Sequence, residues 1–391
     1  MGSETNELRV RTITAGVELS AALELDRVEK ALSFLDRAKE SFAAAGYEVQ
    51  TIRVATNPII AGLDAAARGR ALQQLKEIDQ LALSHGAIFN IGPILTANRV
   101  DDELVAWSQE LVRTTRSISF STVIASPDSG VQANVATTTA KIMVALCRTL
   151  PDGLANFRFA AAANIPAGTP FFPVAWHQGS ESFAIGMEAA SVVEHAFASM
   201  SAEADPTEHL RAALNDAFLP VERLAQEIAE RERRQYLGID TSPAPAKDRS
   251  IAAAIEALTR KPFGESGTLE ACSAITAALK SVSVRTCGYS GLMLPVLEDP
   301  LLAQRAGENR YTIRDLLLFS SVCGTGLDVV PIAGDTSPEA IAALLRDVAA
   351  LSARLRKPLS ARLFLVPDKK AGEIARFTDP LLTDSVVMKL N

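Results

Sequence analysis

The sequence has few cysteines, few aromatic residues and no long apolar run. Its 391 residues include four cysteines, none in a C-x-x-C pair, and aromatic residues make up only 5%. Scattered cysteines are typical of reduced thiols in the cytoplasm rather than of a disulfide framework. No stretch of about eighteen apolar residues occurs, and the amino terminus lacks the apolar core of a signal peptide. These absences predict a cytoplasmic protein with no membrane partner.

Basic charge is also scarce. The chain has 39 Lys and Arg against 46 Asp and Glu, a net charge of −7 with a pI near 5.4. Proteins that bind nucleic acid neutralise phosphates with clustered Lys and Arg, so the composition argues against a nucleic-acid partner. The P-loop pattern and the G-x-G-x-x-G dinucleotide pattern are both missing. No NAD or ATP fingerprint is therefore present.

What the sequence does contain is a regular alternation of strand and helix patterns. Residues 8–17 and 47–56 are rich in β-formers, and each is followed by apolar residues at helical spacing, in 23–46 and 65–86. Strands separated by helices of this length usually pair in parallel, with the helices packed on the outside. The pattern therefore predicts an α/β fold, either a barrel or an open sheet.

The middle of the chain has a different composition. Residues from about 180 to 283 are rich in Ala, Glu and Arg and are predicted to be mostly helical. Strand and helix patterns then return, including a helix that starts near Ser337 with Pro338 at its first position. No clear linker divides the sequence, so a single domain is predicted over residues 1–391.

Four loops gather glycine, proline and polar residues directly after predicted strands or helices, where α/β folds place ligands. They cover residues 164–179, 238–245, 285–300 and 320–335. The first is stiff and largely apolar and ends at His177. A histidine in such a loop can act as an acid or base or can bind a metal, but a hydrogen-bonded structural histidine is the alternative.

The other loops supply carboxylates, hydroxyls and glycines. Glycines that tolerate positive φ let backbone amides face an anion. The residues predicted to be catalytic are His177, Asp328, Tyr289 and Glu298. Those predicted to bind the ligand are Asn164, Ser290, Gly324, Thr325 and Gly326. Any divalent metal is predicted to be held by His177, Asp240 and Asp335.

Two of these positions have structural alternatives. Asp240 and Ser242 lie in a proline-rich loop between predicted helices, where an Asx turn or a helix cap is as good an explanation as ligand binding. Cys323 has no His or Lys nearby in sequence to lower its pKa, so it is predicted to be a buried thiol without a chemical role.

The same loops resemble domain-of-unknown-function family 711 of bacteria and archaea. The resemblance rests on six stretches spread in order over nearly the whole chain: VRTITAGV, NIPAGTPFFPVAWHQG, GIDTSPAP, GYSGLMLPVLEDP, LLLFSSVCGTGLDVVPIAGDTS and LSARLFLVPDKKAGE. It implies a ten-stranded α/β barrel-like fold with helical insertions, similar to pyruvate formate-lyase and its relatives, and no established reaction. Radical chemistry is disfavoured because the glycine loop precedes the cysteine loop and the chain is far shorter than those enzymes.

These observations predict a non-radical enzyme of the lyase or hydrolase type that acts on a small anionic metabolite in a barrel cavity. A metabolite-binding regulatory protein that uses the same pocket without turnover is the alternative. We also expect the chain to form a homo-oligomer. The four loops are predicted to converge on one cavity, although they lie far apart in sequence.

Overall fold

The structure is a computed structural model that describes residues 8–390. The first part of the chain forms β1 (Arg9–Val17), α1 (Leu25–Ala44), β2 (Val49–Thr56), α2 (Ala65–Ser84), β3 (Ala87–Pro93), α3 (Glu103–Thr114), β4 (Ile118–Ser126), β5 (Gly130–Val131), α4 (Ala133–Cys147), a 3₁₀ segment (Pro151–Arg158) and β6 (Phe159–Ala163). Strands and helices thus alternate along this part of the chain, as the sequence pattern predicts.

The remainder forms β7 (Ser182–Glu188), α5 (Ala190–Ala198), α6 (Pro206–Glu232), β8 (Gln235–Asp240), α7 (Ile251–Thr259), α8 (Thr268–Lys280), α9 (Pro300–Gly307), α10 (Ile313–Phe319), β9 (Gly326–Ala333), α11 (Pro338–Leu355), β10 (Leu359–Val366), β11 (Ile374–Ala375) and β12 (Ser385–Val386). Ser337 caps α11 by accepting a hydrogen bond from the amide of Ala340, with Pro338 at the first helical position. The predicted start of this helix is confirmed.

One large, mostly parallel sheet organises the fold. Its ten strands follow the order β8-β7-β1-β2-β3-β4-β6-β10-β9, with the short β5 paired to β4. Strands β1, β2, β3, β4 and β6 pair in parallel in that order. β7 pairs antiparallel with β1, and β10 pairs antiparallel with β6. Strands such as β10 are buried along their whole length, which explains their near-continuous apolar sequence.

Two strands lie in the region predicted to be mostly helical. Both β7 and β8 extend the sheet beyond β1, and the GIDTSPAP stretch begins inside β8 rather than in a loop between helices. β8 has only six residues and contains Gly238 at φ +133°, so its local pattern is weak. Pairing with β7 stabilises it as a strand, and that contact is not visible in the local sequence.

A loop segment connects the two ends of the sheet order. Residues 285–297 lie beside β8, where Cys287 donates its amide to the carbonyl of Ile239 at 3.0 Å. They also lie beside β9, where Val296 donates to the carbonyl of Asp328 at 3.1 Å. The regular strand pairing found over residues 8–390 does not close into a ring. Within the same range, no helix is both long enough and apolar enough to cross a membrane.

Candidate functional site

A cavity of about 840 Å³ lies between strands from distant parts of the sheet order. Its wall includes Arg11 of β1, Arg53 of β2 and Arg362 of β10. All four predicted loops also reach it, through Phe171, Phe172, Pro173, Val174, Ala244, Pro245, Tyr289, Met293, Glu298, Thr325 and Asp328. The predicted convergence of the loops on one cavity is therefore confirmed.

Charged side chains along the cavity wall form one connected hydrogen-bond network. Arg11 donates to Oε2 of Glu298 at 3.1 Å, and Arg362 donates to Oε1 of the same carboxylate at 2.8 Å. The Nε atom of Arg362 also donates to Oδ1 of Asp328 at 2.8 Å. Charge-assisted hydrogen bonds of this length fix both carboxylates in place. This network thus sets the orientation of the Glu298 and Asp328 carboxylates in the cavity wall.

A β-bulge positions Asp328. In the pairing of β9 with β10, Leu327 lies opposite Ala361 and Val330 opposite Leu363, so Asp328 and Val329 together face Arg362. Val329 has φ +44°, an uncommon conformation for a β-branched residue. Bulges that are strained in this way redirect side chains and cluster at functional sites. The bulge brings the Asp328 carboxylate to Arg362.

The surroundings of Asp328 raise its pKa above the ordinary value of an aspartate. Burial raises the pKa of Asp328, the charge of Glu298 raises it further, and the guanidinium of Arg362 opposes both effects. A carboxyl with a raised pKa is better matched to proton transfer near neutral pH than an exposed aspartate. Asp328 therefore combines a place in the cavity wall with a raised pKa.

Tyr289 adds a neutral hydroxyl to the same cavity. Its O–H donates to Oγ of Ser360 at 2.8 Å, and the Ser360 hydroxyl donates to the carbonyl of Thr325 at 3.0 Å. Burial raises the pKa of Tyr289, so the phenol keeps its proton. Three of the four residues predicted to be catalytic, Asp328, Tyr289 and Glu298, are thus brought together.

Asp240 holds the loop that carries Tyr289. Its carboxylate accepts hydrogen bonds from the amides of Tyr289 and Ser290, at 2.8 and 2.9 Å, and from the hydroxyl of Ser242 at 2.6 Å. The Ser290 hydroxyl donates to the carbonyl of Cys287. Asp240 and Ser290 do not line the cavity, because their polar atoms stabilise the turn. The amide of Ser242 also donates to Oδ1 of Asp240 at 3.1 Å, so the Asx-turn explanation is the one that the structure supports.

The glycines after Cys323 serve packing rather than anion binding. The amide of Gly324 donates to the carbonyl of Leu292, so it is not directed at the cavity. A Cβ atom on Gly324 would overlap the Cα atom of Gly291, and one on Gly326 would overlap the carbonyl of Ser360. Of the predicted ligand contacts in this turn, only Thr325 lines the cavity.

His177 lies outside this cavity, which corrects the single site built around it. Its ring packs over Gly16, with Nδ1 3.3 Å from Oγ of Ser182 and Nε2 3.0 Å from the carbonyl of Gly179. Burial lowers the pKa of His177, so the neutral ring is favoured. Both ring nitrogens already have partners, which is the pattern of a structural histidine.

The predicted metal ligands are also not brought together. The oxygens of Asp240 are engaged in the turn described above, while Asp335 is exposed beyond the carboxyl end of β9. Within residues 8–390, no group of three His, Cys, Asp or Glu side chains is arranged to hold a metal ion. Asn164, predicted to bind the ligand, instead donates to Oγ of Ser352 in α11 at 2.8 Å.

We expect His177 to affect the pH dependence of stability. Since its folded-state pKa lies below the unfolded value, the unfolded chain takes up the proton first as the pH falls, and the stabilisation is lost below about pH 6.5. Urea unfolding of wild type and His177→Gln at pH 7.5 and pH 5 measures this. The wild type should lose more stability on acidification than the variant. Equal losses would contradict the buried neutral imidazole.

Cys323 is buried, as predicted. Its side chain is 1% exposed, it does not line the cavity, and burial raises the pKa of its thiol. The ammonium of Lys357 contacts the carbonyl of Cys323 and lowers the thiol pKa to some extent. That lysine is 34 residues away in sequence, so the local pattern around Cys323 could not reveal it. The thiol nevertheless remains in its protonated form.

Sequence reasoning missed the arginines of the cavity. Arg11, Arg53 and Arg362 each lie inside a β-rich run, in VRT, IRV and ARL. Arginine is rarely placed in a covered strand unless it is paired or bound to something, so these positions were an available signal. Arg53 differs from the other two, because no carboxylate within residues 8–390 forms a salt bridge with it.

Comparison with known proteins gives a consistent picture. The family model described as Uncharacterised ACR (DUF711) matches residues 3–379. A UPF0210 protein of Pyrobaculum islandicum is 31% identical over 94% of this chain and 87% of its own length. A UPF0210 protein of Desulforudis audaxviator is 27% identical over 99% of this chain and 92% of its own. These relatives match the chain along almost its full length.

Proposed function

The chain belongs to the Uncharacterised ACR (DUF711) family, and we propose that it is a non-radical enzyme of the lyase or hydrolase type. Its substrate is a small anionic metabolite bound in the cavity. The observation that carries the proposal is the buried Asp328 carboxyl, whose pKa is raised, in a wall that also presents the unpaired guanidinium of Arg53. A positive charge that can bind an anion and a group that can transfer a proton thus line the same cavity.

In this proposal each residue of the wall has one task. Asp328 takes a proton from the substrate or from a bound water and returns it to the leaving group. Glu298 and Arg362 hold Asp328 in place. When substrate binds, the Tyr289 hydroxyl turns from Ser360 and donates its one hydrogen bond to an oxygen on which negative charge develops. Lyase and hydrolase reactions both need this combination of proton transfer and oxyanion stabilisation.

The barrel-like architecture belongs to the same proposal. Strands β1, β2, β4, β6, β9 and β10 all contribute side chains to one cavity, which an extended flat sheet does not allow. The sheet therefore curves around the cavity, with residues 285–297 bridging its two end strands. This arrangement supports a likeness to the barrel of pyruvate formate-lyase and its relatives. The cytoplasmic location, the homo-oligomer and the divalent metal stay predictions.

Incubation with a metabolite mixture tests the proposal. Purified protein is mixed with carboxylic and phosphorylated metabolites, and mass spectrometry follows the loss of each compound and the appearance of products. We expect one anionic compound to be converted by the wild type and to bind Asp328→Asn without conversion. A compound that binds both proteins and is converted by neither would favour the regulatory alternative. A cavity that binds no anion at all would refute both.

A further inference from the structure

Arg53 is buried in the cavity wall without a partner of opposite charge. Its side chain is 7% exposed, and its Nε atom donates to Oγ1 of Thr51 at 3.0 Å. Arg11 and Arg362, in contrast, both donate to the carboxylate of Glu298. In residues 8–390 no protein atom accepts a hydrogen bond from the two terminal nitrogens of Arg53. The two terminal nitrogens of the Arg53 guanidinium are therefore available to donate hydrogen bonds to a ligand.

The protein holds this guanidinium at an energetic cost. Burial lowers the pKa of Arg53 to about 9, and the charge of Arg11 lowers it as well, while Glu298 only partly compensates. A charge removed from water without a counter-ion destabilises the folded state. A bound anion would remove this cost, which is the usual reason for a functional site to contain such a group.

The geometry around Arg53 suits a carboxylate. The guanidinium carbon of Arg53 lies over the ring of Phe172, 5.1 Å from its centroid. A cation–π contact of this kind helps to hold the guanidinium in place. A planar guanidinium with two free terminal nitrogens pairs with the two oxygens of a carboxylate through parallel hydrogen bonds.

Two hydroxyl groups of the cavity wall that a phosphate could use are already engaged within the protein. The hydroxyl of Thr51 donates to the carbonyl of Arg11 at 2.8 Å, and that of Ser117 donates to Oδ1 of Asp79 at 2.7 Å. Phosphate sites in proteins typically combine several donors, often backbone amides at a helix start or a glycine-rich loop. A single arginine fork is the simpler match for a carboxylate.

The rest of the wall is largely apolar. A separate cluster of buried apolar side chains borders the cavity and includes Ala160, Phe171, Val174, Ala244 and Met293. The volume of about 840 Å³ lies within the range of roughly 300–1,000 Å³ found for sites that enclose drug-sized ligands. An acid of two or three carbons would leave most of this space unfilled.

We propose that the substrate is a carboxylic acid with an apolar chain or ring, and that Arg53 binds its carboxylate. The apolar part packs against Phe171 and Met293, and the carboxylate neutralises the buried guanidinium. This inference rests on the function proposed above, because it assigns the substrate class of the same cavity.

Calorimetric titration with simple probes tests the assignment. The probes are 4-phenylbutanoate, its neutral amide 4-phenylbutanamide, and inorganic phosphate. We expect the wild type to bind the carboxylate at least about tenfold more tightly than the amide or phosphate. Arg53→Met should abolish this preference. Arg354→Met is the matched control, since it removes the same charge from an exposed position on α11 and should bind like the wild type.

Thermal melting without ligand separates a binding role from a structural one. Arg53→Met removes an unpaired buried charge, so its melting temperature should equal or exceed that of the wild type. A lower melting temperature together with unchanged carboxylate preference would overturn the proposal. If Arg53→Met does not fold, Arg53→Lys decides, because it keeps the charge without the planar fork and should bind the carboxylate about tenfold more weakly. Unchanged affinity in Arg53→Lys would count against the proposal.

The outcomes also distinguish this inference from the proposed enzyme. The carboxylate assignment alone is refuted if the wild-type protein prefers phosphate. It is also refuted if the wild type binds no probe at up to about 20 mM, which is roughly the weakest affinity expected of a single ion pair with apolar contacts. If Arg53→Met converts a substrate as fast as the wild type does, the carboxylate assignment is refuted, while the proposed enzymatic function is not. Carboxylate binding through Arg53 with no turnover of any compound would refute the enzyme and leave the anion site.

Discussion

Replacing Asp328 with Asn is expected to lower turnover of the substrate by about 10²–10⁴-fold while leaving substrate affinity within a few fold. The amide has nearly the same shape and keeps an oxygen that can accept from Arg362, but it cannot take up or release a proton. Steady-state rates and calorimetric binding constants measure the two effects separately. A loss confined to turnover identifies Asp328 as the acid–base group.

The matched control for this substitution is Asp335→Asn. Asp335 follows the same strand, β9, but is exposed at its far end and does not line the cavity. Its rates should equal those of the wild type. Because the pKa of Asp328 is raised, the acid limb of the wild-type rate profile should lie above the usual range of an aspartate and should disappear in Asp328→Asn. Near-normal turnover in Asp328→Asn would remove Asp328 from the mechanism.

The second large effect is expected from Gly324→Ala. A Cβ atom at this position would overlap the Cα atom of Gly291, and backbone presses on backbone, so no side chain can move aside. Overpacking typically costs about 1–3 kcal/mol and more where the backbone must shift. Since the contact aligns the turn of Thr325 with the loop of Tyr289, ligand affinity should fall together with stability.

Gly69→Ala provides the comparison for Gly324→Ala. Gly69 lies inside α2 and has no heavy atom within 4 Å of the added carbon, so alanine should raise stability by about 0.5–1 kcal/mol. Chemical denaturation of both variants beside the wild type gives the two changes with opposite signs. A Gly324→Ala protein as stable as wild type would show that the two loops are not in contact as described.

Much of the fold could be predicted because its signals are local. The apolar periodicity of α1, the β-rich run of β1 and the Ser337 cap of α11 each lie within a short stretch of sequence. The strands β7 and β8 were missed because short strands next to long helices take their stability from pairing with neighbours in the sheet.

The candidate site could be predicted only in part. Glycine, proline and polar residues marked the four loops, and these loops do meet at one cavity. The composition around His177 looked equally suitable, yet the bare backbone of Gly16 lets its ring pack against β1, away from the cavity. Which face a loop residue takes depends on the surface it packs against, and a local pattern does not contain that information.

The sequence by itself determined the elements of this protein, its family and the loops that carry its polar residues, because propensity, periodicity and turn chemistry act over a few neighbouring residues. Only the tertiary structure decided which charges meet. Arg11 and Glu298 are 287 residues apart in the chain yet hydrogen-bonded. The pairing order of the sheet and the loop that carries Glu298 bring them together, and the bulge at Val329 directs Asp328 to the same wall. Arg53 is left without a carboxylate by that same arrangement, since pairing of buried charges is set by non-local packing.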